Sequence, residues 1–353
     1  MNDSHKDRIR AHWQALQASE PGLRTREAAE RLGISELELL LAVEPSQVRL
    51  VRAKPRSLLS KLEKVGPVTV LTRNRAAILE YTGVYGPFAF LASQALVLGT
   101  PVDLRLHLRH WRYVLVVGPE LVRARQPSLQ IFDSQGNAVQ KIVLTETSDL
   151  ADFQTLVEPH AAPPSAITLP ARSRSKPRGL APIHPEVLQR QWEAMADTHD
   201  SLALQQRLRL RRIQALALLD HRWALPLPPA TALKHVLSLA AQSAVPLMLF
   251  VGNPGGIQIY SGTVQRVAPL GPWINVLDST VNLHVFEPWL RAAWLVRKPT
   301  RDGTVTSLEF FEEDGTLALQ VFGLRKPGTP ELAAWREIAE QVAELRSPRA
   351  QTA

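Results

Sequence analysis

The sequence predicts an α+β fold made by tandem duplication, and three observations carry that prediction. One ungapped register relates two stretches of chain: Asn74, Ile78, Tyr81 and Gly83 stand opposite Asn253, Ile257, Tyr260 and Gly262, each 179 residues on. The same offset pairs Val97-Leu98 with Val276-Leu277, Arg112 with Arg291, Phe132 with Phe311 and Gly136 with Gly315, over about residues 73–142. In each half, a stretch with helical period is followed by short apolar runs of strand length. A segment rich in proline, serine and arginine separates the halves.

Taken in order, residues 5–64 read as helical. Within them Arg26 to Leu40 is helix, glycine turn, helix, the outline of a helix-turn-helix DNA reader. Its second helix carries Glu36, Glu38 and Glu44, where a groove-reading helix offers Arg, Lys, Asn or Gln, which argues against nucleic acid as a partner and leaves a DNA-binding regulator a distant alternative. Strand-like runs follow at Val68–Thr72, Ala77–Tyr81, Val102–Leu108, Tyr113–Val117, Leu129–Phe132 and Val139–Leu144. The turn Asp133-Ser-Gln-Gly-Asn137 joins the last two. This is an antiparallel pattern behind a helical layer. Residues 161–182 read as a linker with Arg172-Ser-Arg-Ser-Lys-Pro-Arg178 at its centre, a solvated tether by composition. The first repeat is thus 1–160 and the second 183–353. The second repeats the order: helices over 185–220 and 230–243, strands from Pro246 to Phe322, and a closing helix from Pro330 to about Leu345.

The totals bound the function. A chain of 353 residues can bury two cores, and 45% apolar with 21% charged residues is ordinary for a globular protein. The net charge of +8 favours anionic partners such as nucleic acid, phosphates, anionic lipid or a dicarboxylate ligand, without choosing among them. With no cysteine, disulfides, iron–sulfur clusters and thiolate-ligated haem or zinc are excluded. Neither a signal-peptide core at the N-terminus nor a membrane-length apolar run occurs, so a cytoplasmic protein is expected.

Against that background one stretch stands out. Leu188, Trp192, Met195, His199 and Leu202 fall at helical spacing, after a first-turn Pro185, and predict one amphipathic helix with a histidine on its apolar face. On spacing alone such a histidine is more often packed in a core than bound to a metal. The turn Gly252-Asn-Pro-Gly-Gly256 lacks the lysine of a phosphate loop and reads as a hairpin connection. Val296-Arg-Lys-Pro-Thr300 and Phe322-Gly-Leu-Arg-Lys-Pro-Gly328 each put cations just after a strand, a placement equally suited to plain solvated charge.

The chain resembles the HemS/ChuS haemin-binding and haem-degrading family of bacterial haem uptake. The resemblance covers nearly the whole chain. It is carried by Asp103-Leu-Arg-Leu-His-Leu-Arg-His-Trp111, Ser128-Leu-Gln-Ile-Phe-Asp133, Ala196-Asp-Thr-His199, Gly252-Asn-Pro-Gly255 and Gly271-Pro-Trp-Ile-Asn-Val-Leu-Asp278. Asn282-Leu-His284, Trp294-Leu-Val-Arg-Lys-Pro-Thr300, Thr306-Ser-Leu-Glu309 and Phe322-Gly-Leu-Arg-Lys-Pro-Gly328 extend it. It implies two similar halves, each a large twisted antiparallel sheet with flanking helices, and one haem b (iron protoporphyrin IX) held by the second half. It places the axial iron ligand at His199, and haem-facing residues at Arg105, Lys298 and Arg325, with Gln320 a weaker distal candidate. An imidazole suits haem iron, and guanidinium or ammonium groups suit its two propionates. Family members often carry histidines in the stretch matching Arg73 to Gly83, and this chain has none there. A second haem site in that segment is therefore not implied. His107, His110, His221, His235 and His284 read as structural or surface residues.

Two functions follow from the resemblance. One is a haem-trafficking protein that accepts haem from an ABC importer and passes it to a downstream haem oxygenase or reductase. The other is an enzyme that opens the porphyrin ring itself. That second role needs an external electron donor, since no flavin or nicotinamide fingerprint is present.

Overall fold

The computed structural model describes residues 3–92, 94–118, 126–164, 167, 169, 184–326 and 328–346. The basic centre of the linker, Arg172 to Arg178, lies outside them. Contacts divide the chain into two units. Unit 1 is 1–72, 80–174 and 253–258; unit 2 is 73–79, 175–252 and 259–353. The linear boundaries 1–160 and 183–353 thus omit two short exchanged segments, the hairpin tips at 73–79 and 253–258. Among the described residues the strands form two antiparallel sheets, of ten and nine strands.

Unit 1 opens with α1 (Asp3–Ser19), α2 (Thr25–Leu32) and α3 (Glu36–Val43). Gly33, at φ +68°, ends α2 in the left-handed conformation that glycine adopts most cheaply. Ser35 and Glu38 then start α3 with a reciprocal capping box. Ile9, Ala28, Ala29, Leu39 and Ala42 make the apolar seam between these helices. Every residue of α3 is buried or half-buried, and its acids Glu36 and Glu38 are tied to the backbone, so the helix has no exposed row for a DNA groove.

The sequence expectation of helix throughout 5–64 fails at β1 (Val48–Val51), which pairs with β7 (Tyr113–Val117). Four residues between helices are too few for a period-2 signal to stand out. β7 pairs in turn with β8 (Ser128–Phe132), and β8 with β9 (Ala138–Leu144), which pairs with β2 (Pro67–Arg73). Val68, Val70 and Thr72 of β2 are buried and alternate with half-buried neighbours, as a strand with one core face requires. β3 (Ala77–Val84) follows β2 in this sheet order. Two further short strands, β4 (Phe88–Phe90) and β5 (Ala95–Leu98), escaped the sequence reading; β5 pairs with both β4 and β6 (Asp103–Leu106). α4 (Pro55–Leu62) and α5 (Leu150–Val157) complete the unit. The supposed linker begins as structure: β10 (Ala161–Ala162) adds to the edge of β1.

Unit 2 repeats this order. α6 (Pro185–Glu193), α7 (Asp200–Leu208) and α8 (Arg212–Leu218) precede β11 (Ala224–Leu227) and α9 (Pro229–Gln242). β11 pairs with β17 (Ala292–Thr300), β17 with β18 (Gly303–Phe311), β18 with β19 (Leu317–Gly323), and β19 with β12 (Leu247–Asn253). β14 (Val267–Leu270), β15 (Trp273–Leu277) and β16 (Asn282–Phe286) match β4, β5 and β6. The turn at 254–255 joins β12 to β13 (Gly256–Gly262) as a hairpin, as its sequence predicts. The duplication also shows in matched side-chain clamps. In unit 2 the Asn74 amide donates to the Ala318 carbonyl at 2.7 Å; in unit 1 its counterpart Asn253 donates to Val139 at 2.8 Å.

The closing helix α10 (Ala333–Ala343) lies against β19 of unit 2 through Trp335, which is fully buried. A Cβ at Gly323 would stand 2.3 Å from Trp335 Cγ, so the close approach depends on glycine. Gly323→Ala is expected to destabilise the protein by about 1–3 kcal/mol through overpacking, read as a lower denaturant midpoint at unchanged m-value.

Candidate functional site

The single helix expected over residues 188–202 is in fact two. α6 buries Leu188 and Trp192 completely, and the Trp192 indole N–H donates to the Arg297 carbonyl at 3.0 Å. The helix then stops at Glu193. Two aspartates capture the next backbone amides and so compete with helix continuation. Asp200 Oδ2 accepts from the N–H groups of Ala196 and Asp197, each at 2.9 Å, and Asp197 Oδ1 accepts from the His199 N–H at 2.8 Å. α7 restarts at Asp200. Met195 stays in the core, but His199 and Leu202 do not: the His199 side chain is 93% exposed. It is neither the core histidine nor the stripe histidine that spacing suggested. It stands at the tip of a structured turn.

That turn is fixed in place. The Arg301 N–H, from the β17–β18 turn, donates to the Ala196 carbonyl at 3.0 Å. His199 Nδ1 lies 2.6 Å from Asp197 Oδ1. An ionised carboxylate only accepts, so Nδ1 carries a proton, and Nε2 is the ring nitrogen that Asp197 leaves unengaged. The hydrogen bond from the His199 backbone N–H, followed by the one from its ring, holds the Asp197 carboxyl below its usual range, with the nearby charge of Arg325 adding to the effect. Asp197 is the residue that sequence reading missed; the signal was an aspartate two positions before the histidine.

Arg325 follows β19. Its guanidinium sits 3.8 Å from Asp302 Oδ2, which also accepts from the Gly328 N–H at 3.0 Å. Among the described residues its buried Nε has no hydrogen-bond acceptor. His199, Asp197 and Arg325 therefore share one neighbourhood.

Lys298 and Gln320 are both engaged by a buried partner. Both surround Glu309, a fully buried carboxylate in the middle of β18. Arg212, from α8, grips Glu309 through Nε and Nη2, both at 2.6 Å. Lys298 Nζ donates to it at 3.0 Å, and Gln320 Nε2 and Ser307 Oγ each at 3.2 Å. Lys298, 2% exposed, is not solvated charge at a strand end. Burial pushes its ammonium down to about 8, with Glu309 opposing and Arg212 reinforcing the fall. For Glu309, burial alone would raise the carboxyl, but the charges of Arg212 and then Lys298 outweigh it and hold it at about 2. Two cations on one carboxylate leave a net charge of about +1 on the cluster, which attracts an anion. Arg212 and Glu309 were not picked out from sequence as site residues.

Arg105 lies on β6 of unit 1, where it pairs with Asp103 and its side chain is one-third exposed. The other four residues belong to unit 2. The donor set in unit 2 suits a metal-centred anionic ligand: one exposed imidazole whose Nδ1 is anchored, one guanidinium N–H without an acceptor among the described residues, and one cluster of net positive charge.

Comparison with known proteins gives a consistent picture. Residues 33–160 and 209–342 each match the haemin-degrading HemS.ChuX domain. The chain is 34% identical to the hemin transport protein HmuS of Yersinia pestis over 330 residues, 93% of this chain and 94% of that protein. Its fold is similar to that of holo-PhuS, a heme-binding protein from Pseudomonas aeruginosa, with a TM-score of 0.88 and 38% identity, covering 95% of this chain and 98% of the other. It is also similar to the heme degrading enzyme ChuS of Escherichia coli O157:H7, with a TM-score of 0.86 and 32% identity over 97% and 100% of the two chains.

Proposed function

The chain belongs to the haemin-degrading HemS/ChuX family, and from that premise we propose that it binds one haem through His199 Nε2 and traffics it within a haem-uptake system. The observation that carries this reading is the exposed His199 ring, anchored at Nδ1 by Asp197 and therefore fixed in tautomer and aim. Arg325, with its unused donor, is the proposed partner of one propionate. Lys298 and Arg212 supply a positive wall, held in shape by Glu309 together with Gln320. Arg105 is proposed for the distal side on resemblance alone. In this reading the protein works in the cytoplasm, takes haem from an ABC importer and delivers it to an oxygenase or reductase. Among the described residues no helix is long and apolar enough to cross a membrane.

Ring cleavage by the protein itself is the second reading, favoured by the likeness to ChuS, which is described as a heme degrading enzyme. Bound haem supplies the iron and the macrocycle that such a reaction consumes. The residues of this chain position it, and electrons come from outside. The two readings separate in one experiment. The haem-loaded protein is given reductant and dioxygen with catalase present, which removes free peroxide. Trafficking predicts that the Soret band persists as ferrous or dioxygen-bound haem. Its loss, with carbon monoxide or a linear tetrapyrrole released, would overturn trafficking as the sole role and establish cleavage.

A further inference from the structure

The duplicated halves differ most informatively at the turn before α7. Aligning the two left-handed helix caps, Gly33 after α2 and Arg209 after α7, sets Leu23 opposite His199 and Pro21 opposite Asp197. Leu23 packs against the helical core of unit 1. Imidazole and carboxylate are thus present together in one half and absent together from the other. The pair, not the histidine alone, is what distinguishes the second repeat.

Asp197 is not required to hold the neighbouring helices. Its side chain is 63% exposed, and among the described residues its carboxylate accepts hydrogen bonds only from the His199 backbone N–H and the His199 ring. The turn itself is capped by Asp200 and by Arg301. A carboxylate 2.6 Å from the ring nitrogen remote from a metal shifts negative charge onto the imidazole and makes its other nitrogen a stronger donor. A stronger donor stabilises the higher oxidation state of iron more than the lower, because the extra positive charge is the one it neutralises. The transferable consequence is a preference between two forms of the same ligand.

We propose that Asp197 is a positioning residue that makes the His199 site selective for ferric over ferrous haem. This inference rests on haem binding through His199. It specifies the form of cargo accepted, and it implies that a reduction step by a separate donor must precede any chemistry that needs ferrous iron.

The test uses the full-length protein loaded with haemin, wild type against Asp197→Asn and Asp197→Glu. Asparagine keeps an acceptor for the His199 N–H, so the turn survives, but it removes the anionic partner of the ring. Haem reduction potentials are measured by spectroelectrochemistry, together with ferric and ferrous affinities. Asp197→Asn is expected to lose about tenfold of the ferric preference, a rise of about 59 mV for one electron, while Asp197→Glu stays near wild type. A change of less than about twofold, about 18 mV, in an Asp197→Asn protein that still shows a His-ligated Soret band overturns the inference and leaves haem binding intact. Failure of the wild type to bind haemin through His199 overturns both, and is recognised by the missing Soret shift before any potential is measured.

Discussion

His199→Ala is expected to lose the histidine-ligated Soret spectrum and to weaken haemin binding by on the order of 100-fold or more, beyond the 10–100-fold typical of an outer-shell change at a metal site. The folded state should barely notice. The ring is 93% exposed and among the described residues its side chain bonds only Asp197, so the stability change should stay within about 0.5 kcal/mol. Added imidazole should restore a low-spin spectrum, because the vacated position is open to solvent. Titration of haemin into the two proteins, with matched denaturant melts, checks all three outcomes.

The largest expected effect on stability belongs to Glu309. Replacing it with glutamine leaves Lys298 and Arg212 facing each other in the interior without their carboxylate. Breaking a buried pair in this way costs about 3–5 kcal/mol. The wild type should also carry the signature of this group in acid. Its carboxyl sits at about 2 in the folded protein against an ordinary 4.5, so between those values the unfolded chain binds more protons than the native one. Stability contributed by Glu309 is therefore complete above pH about 4.5 and is lost as pH falls toward 2, an effect of about 3 kcal/mol. Lys298 has the same sign in a different window. With its ammonium lowered to about 8 from 10.5, the unfolded chain again holds more protons, and this group's contribution rises between pH 8 and 10.5. Urea melts across pH 2–6 should show a shallower acid limb in Glu309→Gln than in wild type. Adding Lys298→Met to Glu309→Gln should recover part of the loss, because one of the two unpaired cations is gone. A Glu309→Gln protein as stable as wild type would show that the cluster is not held together by this carboxylate.

These two residues also show what sequence reading can and cannot reach. The duplication was legible because turn glycines and paired motifs keep register through a full set of strands, and the matched Asn74 and Asn253 clamps are its physical trace. The strands β1, β4 and β5 were not, being three or four residues long. Resemblance points to His199 as a ligand, but spacing misplaces its setting. Spacing at 188, 192, 195 and 199 satisfies a helix, while Asp197 and Asp200 redirect the backbone by taking its N–H groups. Side-chain competition of that kind has no periodicity to detect. Spacing suited Lys298 equally to solvated charge and resemblance made it haem-facing, because a strand-end cation carries no sign of where its charge goes. Its acceptor, Glu309, entered the sequence argument only within Thr306-Ser-Leu-Glu309, one of the stretches that carry the resemblance. The first repeat has Gln130 at that position, so the substitution that creates the buried charge cluster was visible, though its meaning was not.

The central claim is that His199 Nε2 is the protein's bond to haem iron. Resonance Raman spectroscopy of the ferrous haem complex tests it most directly. The account predicts an iron–histidine stretching band that shifts when the protein is labelled with 15N-histidine and is absent from His199→Ala. The same band persisting unchanged in His199→Ala would contradict it.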